Sequence, residues 1–345
     1  PDLCRPALDP PGVKTDGVIF RVRVREGAKE AVTLIEKPIG AKERGKWHAL
    51  RASLEPFAGA TVDLLLDVNA RRAPRGDYAV WGNPIVYRQE KTSRSPIILI
   101  SCDTMRADHL SCYGYARETS PNLDAFAREA VLFENAITPE TWTLTAHTSM
   151  LTGLYPTHHR VNASTNLAES VQTLPEILAS ADYLTGGFTG YRLWMSPSSG
   201  IAHGFDTYAT PTLVRDMVET RVLVDAWLES RGAAPFFLFF HNYDLHSKFG
   251  DAQCEDCDLP YFPPPNTPVH FAKNVREPET LRARCHPSPT DLLIAACGKE
   301  GVLSPEDIAH MVAMYDDSIR GVDAGLAEFF ATLKTKGIYD DALIV

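Results

Sequence analysis

The residues best placed to do chemistry in this chain are an aspartate that closes an apolar strand and a threonine that opens a helix about forty residues later. Ile97-Ile98-Leu99-Ile100 runs straight into Ser101-Cys102-Asp103-Thr104-Met105-Arg106-Ala107-Asp108-His109. A carboxylate at the carboxyl end of a parallel-type strand sits where open α/β sheets bind ligands. Downstream, Thr141-Trp142-Thr143-Leu144-Thr145-Ala146-His147 leads into Thr148-Ser149-Met150-Leu151-Thr152-Gly153. This segment puts a hydroxyl at a helix start, where N–H groups and the helix dipole favour an anion. Carboxylate, hydroxyl and anion hole together suit metal-assisted attack on a sulfuryl or phosphoryl ester. An aspartate ending an apolar strand is costly without a compensating partner, so Asp103 is the expected metal ligand. A threonine hydroxyl is a poor nucleophile near neutral pH, so a divalent cation would have to activate Thr143. Thr143 or Thr145 also suits a helix N-cap, and the two roles are compatible.

These groups need a scaffold that brings strand ends and helix starts together. From residue 96 onward, strands alternate with helices. Ser120-Pro121 reads as an N-cap and first helical residue, followed by Leu123, Phe126, Ala127 and Ala130 on one face. A further helix is predicted from Leu213 to Leu228. Pro235-Phe236-Phe237-Leu238-Phe239-Phe240 reads as a second buried strand, ending near His241 and Asp244. A long helix begins at Ser304-Pro305-Glu306-Asp307 and stops at Gly337. Its stripe is core: Ile308, Met311, Val312, Tyr315, Ile319, Val322, Leu326, Phe329, Phe330 and Leu333. The alternation implies an α/β fold, a mostly parallel central sheet flanked by helices. Residues 17–90 instead hold short alternating runs, such as Val18–Val24 and Thr61–Val68, separated by turns. That pattern predicts a small antiparallel β-sandwich, with Trp47 and Trp81 filling its core. The expected domains are 1–92, with a disordered start, and 96–345, joined by the polar stretch Gln89–Ser95.

Composition narrows the partners. The chain has 345 residues, 44% of them hydrophobic, which suits about two domains of ~150 residues. A net charge of −10, with no basic stripe, argues against nucleic acid or an anionic membrane surface. No apolar stretch reaches the ~18 residues of a membrane span.

Read in order, further landmarks follow the first: Tyr113-Gly114-Tyr115, Thr119-Ser120-Pro121-Asn122-Leu123-Asp124, Ser149–Pro156, Gly204-Phe205-Asp206 and Asp244-Leu245-His246. Over roughly residues 95–345 the chain resembles the sulfatase family of the alkaline phosphatase superfamily, in the branch reading I-x-x-D-T-x-R-A-D-H-L-x-x-Y-G-Y. The resemblance implies a sulfatase-like fold and a divalent metal ion (Ca²⁺, Mn²⁺ or Mg²⁺) at Asp103, with Thr143 and Thr104 as further ligands. Thr104 stands where many sulfatases carry a second aspartate. It also aligns Thr143 with the family's nucleophile, usually a cysteine or serine matured to formylglycine. Oxidising a threonine would give a ketone, so that maturation is closed to this chain. A threonine ester lacks the second hydroxyl that expels sulfate, which shifts weight towards phosphoesters and phosphonates.

The same resemblance implies roles for other side chains. His246 matches the histidine of the family's D-P-H segment, which faces the ester and can stabilise or protonate the leaving oxygen. Asp244 is expected to orient that loop, and His147 stands in the slot of an arginine, where it could contact nucleophile or substrate. Arg106 could neutralise the oxyanion or the ligand cluster, while Asp108 and His109 pin their loop. His241 reads as structural, and His158 and His159 as loop packing. The family's G-K-W-H segment is absent; Arg192 stands in that region, as solvated surface or as a substitute for the lysine. Cys254, Cys257, Cys285 and Cys297 allow a zinc knuckle or two disulfides, the latter suiting a periplasmic or secreted enzyme. Cys102 reads as a buried strand cysteine. Asp340–Val345 reads as a loop entering a strand that would continue to further metal ligands, so an inactive fragment is expected.

The expected function is metal-dependent hydrolysis of a sulfate, phosphate or phosphonate ester through Thr143. The ester could sit on a glycan or lipid headgroup. Two rivals remain open at this point: transfer of a phosphoryl headgroup to an acceptor hydroxyl, and a silent glycan-binding protein of the same fold.

Overall fold

The computed structural model describes residues 16–43, 48, 50–71, 79–82, 84, 86, 94–211, 215–232, 234–246, 271 and 304–345. Trp47, most of the expected linker Gln89–Ser95, and Cys4, Cys254, Cys257, Cys285 and Cys297 lie outside the described residues. The chain divides into two compact units, one of Pro1–Thr92 with Val222–Ala234, the other of Ser93–Arg221 with Pro235–Val345.

The first unit carries strands β1 (Val18–Arg25), β2 (Val32–Ile39) and β3 (Asp63–Ala70). They form an antiparallel sheet in the order β2-β1-β3. Alternation decides what β1 does with each face. Val18, Phe20, Val22 and Val24 are buried. Arg21, Arg23 and Arg25 point the other way, onto Glu36 (2.6 Å), Asp67 (2.5 Å) and Asp63 (2.7 Å) of the neighbouring strands. These half-exposed pairs favour the register more than the stability, at roughly 0.2–1 kcal/mol each. Trp81 meets Phe20 edge-on, with ring centroids 4.9 Å apart, and so packs as the sequence predicts. The predicted sandwich differs: among the described residues this unit has one sheet, with no second sheet facing it.

The second unit is the α/β fold. In chain order it contains β4 (Ile97–Cys102), α1 (Pro121–Glu129), α2 (Thr143–Thr152), α3 (Pro156–His159), α4 (Leu174–Ser180), β5 (Leu184–Thr189) and β6 (Thr207–Ala209). The first residues of helix α5 (Met217–Ser230) belong here, and those from Val222 onward belong to the first unit; β7 (Phe236–Asn242), α6 (Pro305–Thr335) and β8 (Leu343–Ile344) complete the described helices and strands. The sheet order is β6-β5-β7-β4-β8, and every pairing is parallel. All residues of β7 are buried because both faces of the sheet are covered. Phe237 and Phe239 pack with Leu144 and Leu151 of α2 and with Met195 and Ile201. On the opposite face Phe240 meets Phe329 of α6 at 5.2 Å.

Helix α6 buries Tyr315, Ile319, Val322, Leu326, Phe329, Phe330 and Leu333 as the stripe predicts, whereas Ile308 near its start is exposed. Its end at Gly337 has φ 65°, a left-handed turn that favours glycine. Helix α5 begins at Met217, where Asp216 accepts from Glu219 N (2.8 Å) and Asp244 accepts from Met217 N (3.1 Å); the expected start, Leu213, lies outside the described residues. No helix among the described residues is long and apolar enough to cross a membrane.

Candidate metal centre

Parallel pairing sets the site's first two residues side by side. Ser101 of β4 is the register partner of His241 in β7, and Cys102 that of Asn242. Asp103 is held one step farther on, its N–H donating to the Asn242 carbonyl at 3.0 Å. Asp103 and His241 therefore reach the carboxyl edge of the sheet on the face that α2 covers. Helix α2 then begins at Thr143, and the Thr143 hydroxyl donates to Asp103 Oδ2 at 2.9 Å. The Thr143 side chain makes no N-cap bond; the Thr145 hydroxyl instead turns back onto the Trp142 carbonyl at 3.0 Å.

One turn along α2, His147 completes the cluster. Its Nδ1 lies 2.6 Å from the Thr143 carbonyl, which can only accept, so Nδ1 carries the proton. Its Nε2 then accepts from the Ser101 hydroxyl at 2.8 Å. Burial first, and then the neighbouring His241, push His147 down to about 4, so the ring is neutral at pH 7. The His147 and His241 rings stand edge to face, 4.8 Å apart. His241 Nδ1 accepts from the Gly190 N–H at 3.3 Å, which leaves Nε2–H directed at Asp103 Oδ2 3.5 Å away. Burial pushes the Asp103 carboxyl up. The His241 hydrogen bond, the His241 and His147 imidazoles and the Thr143 hydroxyl outweigh it and hold the group below its ordinary range.

Asp103, His147 and His241 each offer a ligand atom, all within 4.8 Å of one another. A carboxylate oxygen and two imidazole nitrogens form a fitting donor set for a divalent ion. Binding through Nε2 of either histidine would displace an existing hydrogen bond, to Ser101 or to Asp103. Metal-dependent chemistry is therefore compatible with the side chains present.

Other expected site residues make the following contacts. Thr104 is exposed, and its hydroxyl donates to the Asp103 carbonyl oxygen at 2.7 Å rather than joining the carboxylate. Arg106 forms a two-pronged pair with Asp108 (2.9 and 2.6 Å). That pair holds the Asp108 carboxyl below its ordinary range. His109 pins the loop, as expected, by bonding the buried Asp316 of α6 at 2.7 Å. The His246 ring stacks on Tyr243 at 4.3 Å, and Asp244 caps α5. Neither makes a hydrogen bond to Asp103 or Thr143. His159 has a packing role, between Ser149 (3.0 Å) and the Val161 N–H (3.0 Å). Burial first, with the Asp244 and Asp103 charges, lifts the Cys102 thiol to about 12, which keeps it protonated and unreactive.

The residue that sequence reasoning underrated is His241. The signal was present, since a histidine closing an all-apolar strand is a buried polar group that needs a partner, as Asp103 does. What was hidden was the register that puts the two strand ends together.

Comparison with known proteins gives the family and the fold. Residues 95–345 match the Sulfatase family model. The chain belongs to the sulfatase family. This sulfatase-family chain is 27% identical over 128 residues to N-acetylgalactosamine-6-O-sulfatase of Bacteroides thetaiotaomicron, an alignment covering 35% of the chain and 25% of that enzyme. It is 28% identical over 142 residues to bovine arylsulfatase A, covering 38% and 28%. The matched region thus spans about a quarter of the length of either curated relative. Among solved structures, the phosphonate monoester hydrolase of Agrobacterium radiobacter superposes with a TM-score of 0.50 at 22% identity, covering 73% of this chain and 61% of that one. The likeness to that hydrolase is one of fold.

Proposed function

We propose that this sulfatase-family protein is a metal-dependent hydrolase of anionic esters with Thr143 as its nucleophile, acting on phosphate or phosphonate esters in preference to sulfates. The observation that carries the reading is the 2.9 Å hydrogen bond from the Thr143 hydroxyl to Asp103, at the start of a helix and beside two histidines. Asp103, Thr143 and the two histidines would hold a divalent ion, which supplies charge that lowers the hydroxyl's pKa and neutralises the ester oxygens. Thr104, turned onto a backbone carbonyl, is not part of this ligand set.

The protein's own groups do the rest. Asp103 accepts the hydroxyl proton's hydrogen bond and so aims the Thr143 oxygen. The first N–H groups of α2 offer donors to a tetrahedral oxyanion. His147, protonated on Nδ1, fixes the helix start by bonding the Thr143 carbonyl. Threonine supports the preference for phosphorus, because its ester must be cleaved by water at the central atom. Among the curated relatives the N-acetylgalactosamine-6-O-sulfatase is named for a sulfated sugar, and an ester borne on a glycan is a substrate in keeping with that name.

The test is turnover of p-nitrophenyl phosphate, phenyl phosphonate and sulfate esters by the full-length protein with Mn²⁺, Ca²⁺ or Mg²⁺. Thr143→Ala is expected to lower kcat by at least about 10³-fold and Thr143→Ser to keep most of it. Equal activity in the wild type and Thr143→Ala removes the nucleophile assignment. A clear preference for the sulfate ester overturns the substrate order.

A further inference from the structure

Beside the metal centre, the carboxyl end of β5 carries polar atoms that the proposed chemistry does not use. Thr189 is the last residue of β5 and the register partner of His241, so the two side chains share a face of the sheet. Its hydroxyl is fully buried and has no hydrogen-bond partner among the described residues. The buried Tyr243 Oη, and Nη1 of Arg215, are likewise without a partner there. Leaving three buried donors unsatisfied is expensive, at roughly 1–3 kcal/mol each, unless something else meets them.

These donors come from chain segments that converge on Gly190. Its carbonyl accepts from the Arg215 N–H at 2.8 Å and its N–H donates to the His241 carbonyl at 3.0 Å. A Cβ at Gly190 would lie 3.0 Å from the Arg215 carbonyl oxygen and 3.1 Å from Tyr243 Cβ, so glycine is what permits the approach. Tyr243 is clamped by stacking between Tyr191 (4.2 Å) and His246 (4.3 Å), which fixes its phenol. Arg215 makes one long bond, 3.4 Å from Nη2 to the Thr210 carbonyl, and has no carboxylate within ion-pair distance among the described residues.

We propose that Arg215, Tyr243 and Thr189 form a second anion subsite, which binds a negatively charged group of the substrate other than the ester being cleaved. All three present donors, and a guanidinium with two hydroxyls suits a carboxylate, sulfate or phosphate oxygen set. Thr189 stands two strands from Asp103 in the order β5-β7-β4, roughly 10 Å at ~4.8 Å per strand. Tyr243 lies nearer the metal centre, its ring 6.1 Å from that of His241, but a single tetrahedral oxyanion at Asp103 is too small to reach Thr189 as well, so the group that Thr189 holds is a separate substituent adjoining the cleaved ester. Burial pushes the Tyr243 phenol well above its ordinary range, which keeps it a donor.

Naming the ligand as part of a substrate rests on the hydrolase reading; the existence of the subsite does not. Two measurements on the full chain therefore separate them. The first is calorimetric titration of EDTA-treated protein with inorganic phosphate. Wild type and Asp103→Asn are expected to bind, with Arg215→Gln and Tyr243→Phe each weakened at least tenfold and Arg215→Lys partly restored. Tyr243→Phe preserves the aromatic stack, so it stays informative if Arg215→Gln folds poorly. Unchanged affinity in both variants, or loss of binding in Asp103→Asn, overturns the subsite. The second compares phenyl phosphate with 4-carboxyphenyl phosphate as substrates. Arg215→Gln should lower kcat/KM at least tenfold for the dianionic-plus-carboxylate substrate and stay within twofold for phenyl phosphate. An equal loss on both assigns Arg215 to the cleaved ester and refutes a second subsite.

Discussion

His147 ties the chemistry of the site to its stability. The ring is held neutral by burial, with its pKa at about 4 against about 6.5 in an unfolded chain. Between those values the unfolded state binds more protons than the folded one. Stability of the metal-free protein is therefore full above pH 6.5 and falls as the pH drops towards 4, by about 3 kcal/mol from this group. Urea unfolding across that range should show the slope in the wild type and a flatter profile in His147→Gln. An identical slope in both would assign the acid sensitivity to other groups. The neighbouring Thr104 offers a sharper residue-scale test, because it is β-branched yet sits at φ 59°, a conformation that costs roughly 1–2 kcal/mol. Thr104→Gly should leave stability unchanged or raise it, and should leave metal affinity intact. A large fall in affinity by isothermal titration would restore Thr104 to the ligand set.

At the scale of elements, α6 acts as the brace of the loop after Asp103 and of α1. The Tyr315 hydroxyl donates to the Thr104 carbonyl at 2.6 Å and accepts from the Arg106 N–H at 2.9 Å, clamping the residue after Asp103. The fully buried Asp316 gathers His109 (2.7 Å), Tyr115 (2.8 Å) and Arg117 (2.6 Å), fixing the loop that follows. Asp323 accepts from the N–H groups of Asn122 (3.1 Å) and Leu123 (2.8 Å) at the start of α1. The sequence places Ser120 as that helix's cap, but its hydroxyl bonds Asp124 instead. A capping serine is legible locally, whereas a capping aspartate two hundred residues away is not. Asp323→Ala should lower stability by about 0.5–2 kcal/mol, since it removes the acceptor of two N–H groups at the helix start, while Ser120→Ala should cost less. The reverse order in chemical denaturation would show that α1 is capped from within.

At the scale of the whole molecule, a metal ion that binds only the folded protein links function to stability. At a hundred times its Kd such an ion should add about 2.7 kcal/mol. Asp103→Asn should abolish the resulting rise in Tm, and a rise that survives in this variant would place the ion elsewhere. Much of the fold was legible beforehand because burial leaves a pattern in the residues themselves. The unbroken apolar runs of β4 and β7, and the stripe of α6, each state that they are covered. Strand β5 was not legible, because Gly186 and Gly187 make it read as a poor strand. Gly187 is there to admit Tyr208, since a Cβ would lie 2.5 Å from its ring. By its residue types alone, the chain determined that a carboxylate ends one buried strand and that a hydroxyl opens a helix. Tertiary structure alone decided that Asp103, Thr143, His147 and His241 meet, because strand register and helix docking are properties of distant pairings. Thr104 and Arg106 instead bond locally, to the Asp103 carbonyl oxygen and to Asp108.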